Sequence, residues 1–255
     1  MSQTLSLIIP VYNEAEHLPR FLALIDELRL PLAKELVIIN DGSTDDSGEI
    51  IKNFRFNSPT VIIDRPHNSG KGASIREGVQ RATGDFIGIQ DADFETDLGD
   101  IEKLLEPLLA GKADVVYGSR FKKTGHHVHR TFHYLSNRVL TILSNLLSGL
   151  YLSDMETCYK FFRADVIKNI RLESNRFGFE PEITAKIARL HLRIMELPVS
   201  YFPRKYLEGK KLSWKDGVAA FGHIIYFNTV ASRKRSDCFY ETLPKRYAPR
   251  AESWL

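Results

Sequence analysis

Asp91 and Asp93 flank a single alanine, Ala92, just after the apolar run 86–89. Two carboxylates one residue apart at a strand end can hold a hard divalent cation, Mg2+ or Mn2+, through oxygen. Glu95 supplies a third oxygen donor two positions on. A cation there would neutralise the charge that develops on a departing diphosphate. The same residues also suit a turn with capping aspartates, so the pair alone does not decide. Three other clusters share its character. Pro10-Val11-Tyr12-Asn13-Glu14 presents an aromatic ring able to stack on a base and a carboxylate able to accept from a ribose hydroxyl; it also suits a helix start. Asp41-Gly42-Ser43-Thr44-Asp45 puts a carboxylate where nucleotide-binding sheets read ribose, or equally an Asx turn with Asp45 or Asp46 capping a helix. Asn68-Ser69-Gly70-Lys71-Gly72 lacks the GxxxxGK[ST] pattern of a phosphate loop, yet its small residues and lysine permit close approach to a nucleotide.

The elements holding these clusters alternate. Short Val- and Ile-rich runs at 5–9, 35–40, 60–64, 85–90 and 114–118 read as strands. Between them Leu18, Phe21, Leu22, Ile25 and Leu28, and then Ile101, Leu104, Leu105 and Leu108, recur at helical spacing. Such alternation predicts an α/β fold with a mostly parallel central sheet and helices on both faces. Ligands of these sheets bind beyond the carboxyl ends of the strands, which is where the Tyr12, Asp41 and Asp91 clusters and Ser119-Arg120 fall, while Asn68–Gly72 opens a helix. The second half reads as helices over 133–150 and 182–192, a strand-like stretch over 193–201, and a basic loop over 203–211. That loop leads to a helix capped by Ser213. The tail after Ser232 lacks periodicity and reads as a loosely packed extension.

Bulk properties narrow the classes. With 43% hydrophobic and 26% charged residues, the chain can bury a sizeable core, and global disorder is excluded. A net charge of +3 is too small to imply nucleic acid, and the basic tail has few aromatics to stack on bases. Two cysteines, Cys158 and Cys238, make neither a disulfide framework nor a zinc motif, which fits a reduced, cytoplasmic compartment. No signal peptide is expected from the N-terminal residues, and no run reaches the roughly 20 residues of a membrane span. The segments 139–152 and 218–231 fit core helices or helices lying in a membrane interface.

The motifs PVYNE, NDGSTD, HNSGKGASIREGVQRATGD, QDADFE and GSRF, in this order and near these spacings, resemble glycosyltransferase family 2 and its GT-A fold. DMETCYKF at 154–161, EGKK at 208–211 and WKDG at 214–217 are similar to the branch containing polyprenyl-phosphate mannose and glucose synthases. The resemblance implies a metal-dependent, inverting hexosyltransferase that uses a GDP- or UDP-linked donor and a polyprenyl phosphate acceptor. It implies donor contacts at Pro10, Tyr12, Glu14, Asp41, Lys71, Ala92, Arg204 and Lys210. Metal and diphosphate fall to Asp91 and Asp93, with Glu95 standing where relatives often carry an amide. Arg120 matches a family arginine near the reacting phosphates, and Arg130 joins it as a candidate for the acceptor phosphate. A phosphate acceptor is anionic at neutral pH and needs no general base. Asp154 is the candidate base if the acceptor is a hydroxyl, and otherwise a turn aspartate that organises the site. The expected organisation is one catalytic domain over 1–231, with a nucleotide-sugar half (1–121), an acceptor half (122–231) and a basic extension over 232–255. Contact with lipid would come through a peripheral membrane surface or a membrane partner protein. A glycan or other hydroxyl acceptor, and a non-catalytic sugar-nucleotide-binding module, are the alternatives.

Overall fold

The computed structural model describes residues 3–122, 131–203, 214–231, 240 and 244–247. The first half forms β1 (Thr4–Val11), α1 (Leu18–Glu27), β2 (Ala33–Asn40), α2 (Ser47–Asn53), β3 (Thr60–Asp64), α3 (Lys71–Arg81), β4 (Phe86–Ile89), α4 (Asp100–Leu109) and β5 (Val115–Ser119). The second half adds α5 (Thr131–Ser148), β6 (Lys160–Arg163), the short α6 (Ala164–Ile167), α7 (Phe179–Ile187), β7 (Ile194–Pro198) and α8 (Trp214–Ile225), which runs on through a π turn, Tyr226–Val230.

All seven strands join one sheet in the order β3-β2-β1-β4-β6-β5-β7. Every pairing is parallel except those of β6, which lies antiparallel between β4 and β5. The expected mostly parallel sheet is therefore present. The five strands predicted in the first half are all there and the strand-like stretch over 193–201 is β7, but β4 and β5 are not neighbours. The wedge at 160–163 was hidden inside a motif, and its insertion matters because it delivers the 153–158 turn into the site.

Alternation along the strands covers both faces. Leu5, Leu7 and Ile9 of β1 join Leu18, Phe21, Leu22 and Ile25 of α1 and Leu104, Leu105 and Leu108 of α4 on one side. Ile8, Val37 and Ile39 pack with Ile75 and Val79 of α3 and Ile183 and Ile187 of α7 on the other. Each fully buried aliphatic side chain contributes about 1.5–3 kcal/mol, and both predicted apolar helix faces sit in this core. The helix expected over 182–192 starts earlier, at Phe179, because Pro181 falls in the first turn, where no intrahelical N–H is needed. Ser213, expected as a helix cap, lies outside the described residues. Described residues beyond 232 contact the domain. The Tyr240 hydroxyl donates to Lys186 O at 2.7 Å, and Tyr247 is buried in the core beside α6.

Candidate active site

The carboxyl ends of β1, β2, β4 and β5 open on one edge, and their loops lock together through short polar contacts. Asn13 sits at φ 50°, in the left-handed region an asparagine tolerates. Its side-chain oxygen accepts from Thr44 N at 2.8 Å, and its own N–H donates to Ser43 Oγ at 3.0 Å. Asp45 accepts from Ala15 N and Ser47 N, so the Pro10–Glu14 and Asp41–Asp45 clusters form one unit. Glu14 and Tyr12 rise from it half-buried. Asp41 is buried and accepts from Arg65 Nη1 (2.9 Å), Ser69 N (3.0 Å) and Gly70 N (2.7 Å). It therefore fixes the loop before α3. Gly70 is required there: its φ is +99°, and a Cβ would lie 2.4 Å from Asn175 O.

The loop leads to Lys71, the first residue of α3. Its Nζ lies 2.8 Å from Asp91 Oδ2 and 3.2 Å from Glu180 Oε1. Burial alone would lower the ammonium, but Asp91 and Glu180 outweigh it and hold Lys71 well above the ordinary lysine range. Beyond Ala92, Asp93 Oδ1 accepts from Glu95 N at 3.0 Å. Phe94 between them has φ 55°, a strained setting for a bulky residue. Its ring is clamped edge-on by Phe21 and covered by Arg20. The strain sets the turn on which the acidic residues alternate.

Glu95 Oε2 accepts from the Tyr201 hydroxyl at 2.8 Å, and the Tyr201 ring lies 5.2 Å beneath the Arg120 guanidinium. Arg120 in turn grips Asp154 with Nε and Nη2, both at 2.7 Å, while its backbone N–H donates to Asp154 Oδ2 at 3.0 Å. Asp154 is fully buried. The arginine and aspartate picked from distant motifs thus form one bidentate pair, and the geometry is that of an aspartate orienting an arginine. Glu196 braces the turn by accepting from Ser153 N, Ser153 Oγ and Asp154 N, and Lys122 stands 3.0 Å from it.

Several residues of this site were not singled out in the sequence. Cys158 is desolvated between Asp91, Asp93, Lys71 and Arg120, which raises its thiol well above the usual range and keeps it protonated. Lys160 is fully buried and donates to Met155 O (2.9 Å) and Thr157 O, with its ammonium 4.5 Å from the Tyr117 ring centroid. Burial lowers it, against the pull of Glu180 and Glu156. Burial, then repulsion from Glu180, pushes Glu156 up to about 8. A carboxyl raised this way binds more protons in the folded chain than in the unfolded one between about pH 4.5 and 8, so folding weakens as pH rises through that window. Glu156→Gln should therefore match the parent in melting temperature near pH 4.5 and exceed it increasingly towards pH 8. Parallel melting curves across this range test the expectation, and a constant difference would refute it.

The three acidic residues proposed for a cation do not form a closed cage. Among the described residues no group of three His, Cys, Asp or Glu side chains converges as a complete metal site. Asp91 faces Lys71 and Glu95 faces Tyr201. The donor set still fits a hard divalent ion. Such ions often take only one or two carboxylates and complete their shell with phosphate oxygens and water. Asp91, Asp93, Glu95, Asp154 and Glu180 also outnumber Lys71, Arg120 and Lys160 here. The other predicted donor and acceptor residues, Arg130, Arg204 and Lys210, lie outside the described residues.

The family model for glycosyl transferase family 2 matches residues 6–171. A dolichyl-phosphate beta-glucosyltransferase of Trichomonas vaginalis is 30% identical over 223 residues, covering 82% of this chain and 68% of the relative. An undecaprenyl-phosphate mannosyltransferase of Micrococcus luteus is 31% identical over 212 residues, covering 80% of this chain and 85% of the relative. Among solved structures, glucosyl-3-phosphoglycerate synthase of Mycobacterium tuberculosis, crystallised with Mn2+, UDP and phosphoglyceric acid, superposes with a TM-score of 0.65. That match has 16% identity and covers 89% of this chain and 79% of that one. The structural likeness establishes the fold and nothing finer.

Proposed function

The chain belongs to glycosyl transferase family 2, and from that premise we propose that it is an inverting hexosyltransferase moving a sugar from a nucleotide diphosphate donor to a polyprenyl phosphate. The observation that carries this reading is the chain of contacts Asp93–Glu95–Tyr201–Arg120–Asp154 at the strand ends. It sets a buried, oriented cation beside an acidic pair. Tyr12, Glu14 and Asp41 would contact the nucleoside. Asp91 and Asp93 would hold Mg2+ or Mn2+, which supplies charge neutralisation for the departing diphosphate. Arg120, locked by Asp154, positions the acceptor phosphate for attack on the face opposite the leaving group. No residue need remove a proton, which suits the full engagement of Asp154 with Arg120. Residues 1–121 form the donor half and 122–231 the acceptor half of this single domain.

The acceptor's lipid calls for a membrane surface. No helix of the described residues is long and apolar enough to cross a bilayer. The packed pair α5–α8 instead turns an apolar face outward. Leu135, Val139, Ile142 and Leu146 form one exposed stripe on α5, Leu146 being 77% exposed, and Val218, Phe221 and Ile225 form another on α8. The face reaches the site, because Tyr134 stacks edge-on against Phe121, whose ring Arg120 overlies. Helix α5 contains Arg138 and no acidic residue, as suits an anionic bilayer. Leu135→Glu with Leu146→Glu should weaken binding to phosphatidylglycerol–phosphatidylethanolamine vesicles by roughly tenfold or more, leaving turnover of a short, water-soluble prenyl phosphate intact. Unchanged vesicle flotation would remove this face from the proposal.

A donor panel of GDP- and UDP-hexoses with Mg2+ or Mn2+ tests the central reading. Nucleotide diphosphate release should require polyprenyl phosphate, with the sugar recovered on the lipid. Release driven instead by a soluble hydroxyl acceptor would establish the alternative, and tight nucleotide binding with no turnover under any condition would establish a binding module.

A further inference from the structure

Lys71 joins carboxylates from the two halves of the chain. Asp91 ends the β4 side of the donor site, and Glu180 stands in the first turn of α7. Glu180 is only partly used. Its side chain is 6% exposed; one oxygen meets Lys71 at 3.2 Å, and the other, Oε2, is buried and accepts no hydrogen bond. A buried carboxylate oxygen left unpaired carries a desolvation cost that a fuller contact with an ammonium would relieve. The backbones on either side are fixed. Gly72 N and Ala73 N donate to Arg176 O and Asn175 O, which ties the start of α3 to the loop that enters α7. The flexible lysine chain is what can shift between the two acids.

We propose that Lys71 is an exchangeable counter-ion. It neutralises Asp91 while the donor site is empty and passes onto Glu180 when a divalent cation arrives with a nucleotide diphosphate. Glu180 is then a positioning residue, and its unpaired oxygen is the place kept for the displaced ammonium. The arrangement makes cation binding depend on the diphosphate. Without phosphate oxygens a cation must displace Lys71 from a 2.8 Å contact for the sake of a carboxylate or two. With them, the extra ligands tip the exchange. This inference rests on Asp91 being a donor-site ligand.

Mn2+ titration followed by electron paramagnetic resonance, on the full chain without nucleotide and then with UDP or GDP, separates the ideas. The parent should bind Mn2+ weakly alone and at least tenfold more tightly with a nucleoside diphosphate. Lys71→Met should bind Mn2+ alone at least tenfold more tightly than the parent, which removes most of the nucleotide dependence. Glu180→Gln, a near-isosteric change, should leave Lys71 on Asp91 and weaken Mn2+ binding in the presence of nucleotide severalfold. Should Lys71→Met not fold, as judged by its melting curve, Glu180→Gln decides alone. Normal nucleotide-assisted binding with no change in either variant overturns the exchange and leaves the donor site standing. Absence of Mn2+ binding in every protein, with or without nucleotide, overturns both.

Discussion

Replacing Asp93 by asparagine should lower turnover by about 10²–10³-fold with little change in melting temperature. The substitution keeps the contact that Asp93 makes within its turn, since an amide oxygen can accept from Glu95 N as the carboxylate does at 3.0 Å. Phe94 retains its clamp on Phe21, so the local backbone is preserved. Only the charge is lost, and charge is what a divalent ion and a developing diphosphate need at this point. The measurement is the rate of nucleotide diphosphate release under saturating donor and lipid, beside a melting curve. Turnover within a fewfold of the parent would mean that Asp93 is a turn residue and that the acidic pair does not hold the cation.

Arg120→Met should damage both stability and chemistry, and the two can be separated. Asp154 is fully buried and both its oxygens are met by Arg120. Removing one partner of a buried ion pair strands the other, at a cost of roughly 3–5 kcal/mol. The expected result is a sharply lowered urea midpoint together with a turnover loss of about 10²–10³-fold. Adding Asp154→Asn removes the stranded charge and should restore most of the stability while leaving activity low. If the double variant regains turnover, Arg120 serves only to satisfy Asp154. If neither variant loses stability, the buried pair is not formed as described.

These contacts also show how far the amino-acid sequence reaches. Every strand but β6, the apolar faces of α1 and α4, and the polar residues at four strand ends were legible, because alternation and helical spacing are local and burial imposes them directly. The motif order added the family. Asp154 was legible as a residue of interest but not in its role, since its partner Arg120 stands 34 positions away. Glu156 and Lys160 stood inside the DMETCYKF motif and Glu180 just before the helix expected over 182–192, with no role attached to any of them. Nothing in their spacing announces burial, which is what raises Glu156 and lowers Lys160. Glu196 in β7 and Tyr201 beyond it were likewise silent. One braces a turn and the other bridges Glu95 to Arg120 only after β7 has paired with β5.

By itself, then, the sequence determined an α/β sheet with polar clusters at its carboxyl edge, Asp91-Ala92-Asp93 among them as the proposed donor site, because periodicity and strand-end chemistry are written residue by residue. The tertiary structure alone decided which distant charges meet. It inserted β6 antiparallel between β4 and β5, carried the 153–158 turn to the acidic pair, and bound Arg120 to Asp154 and Lys71 to both Asp91 and Glu180. Pairing of charges depends on through-space distance and desolvation, and neither quantity exists until the chain has folded.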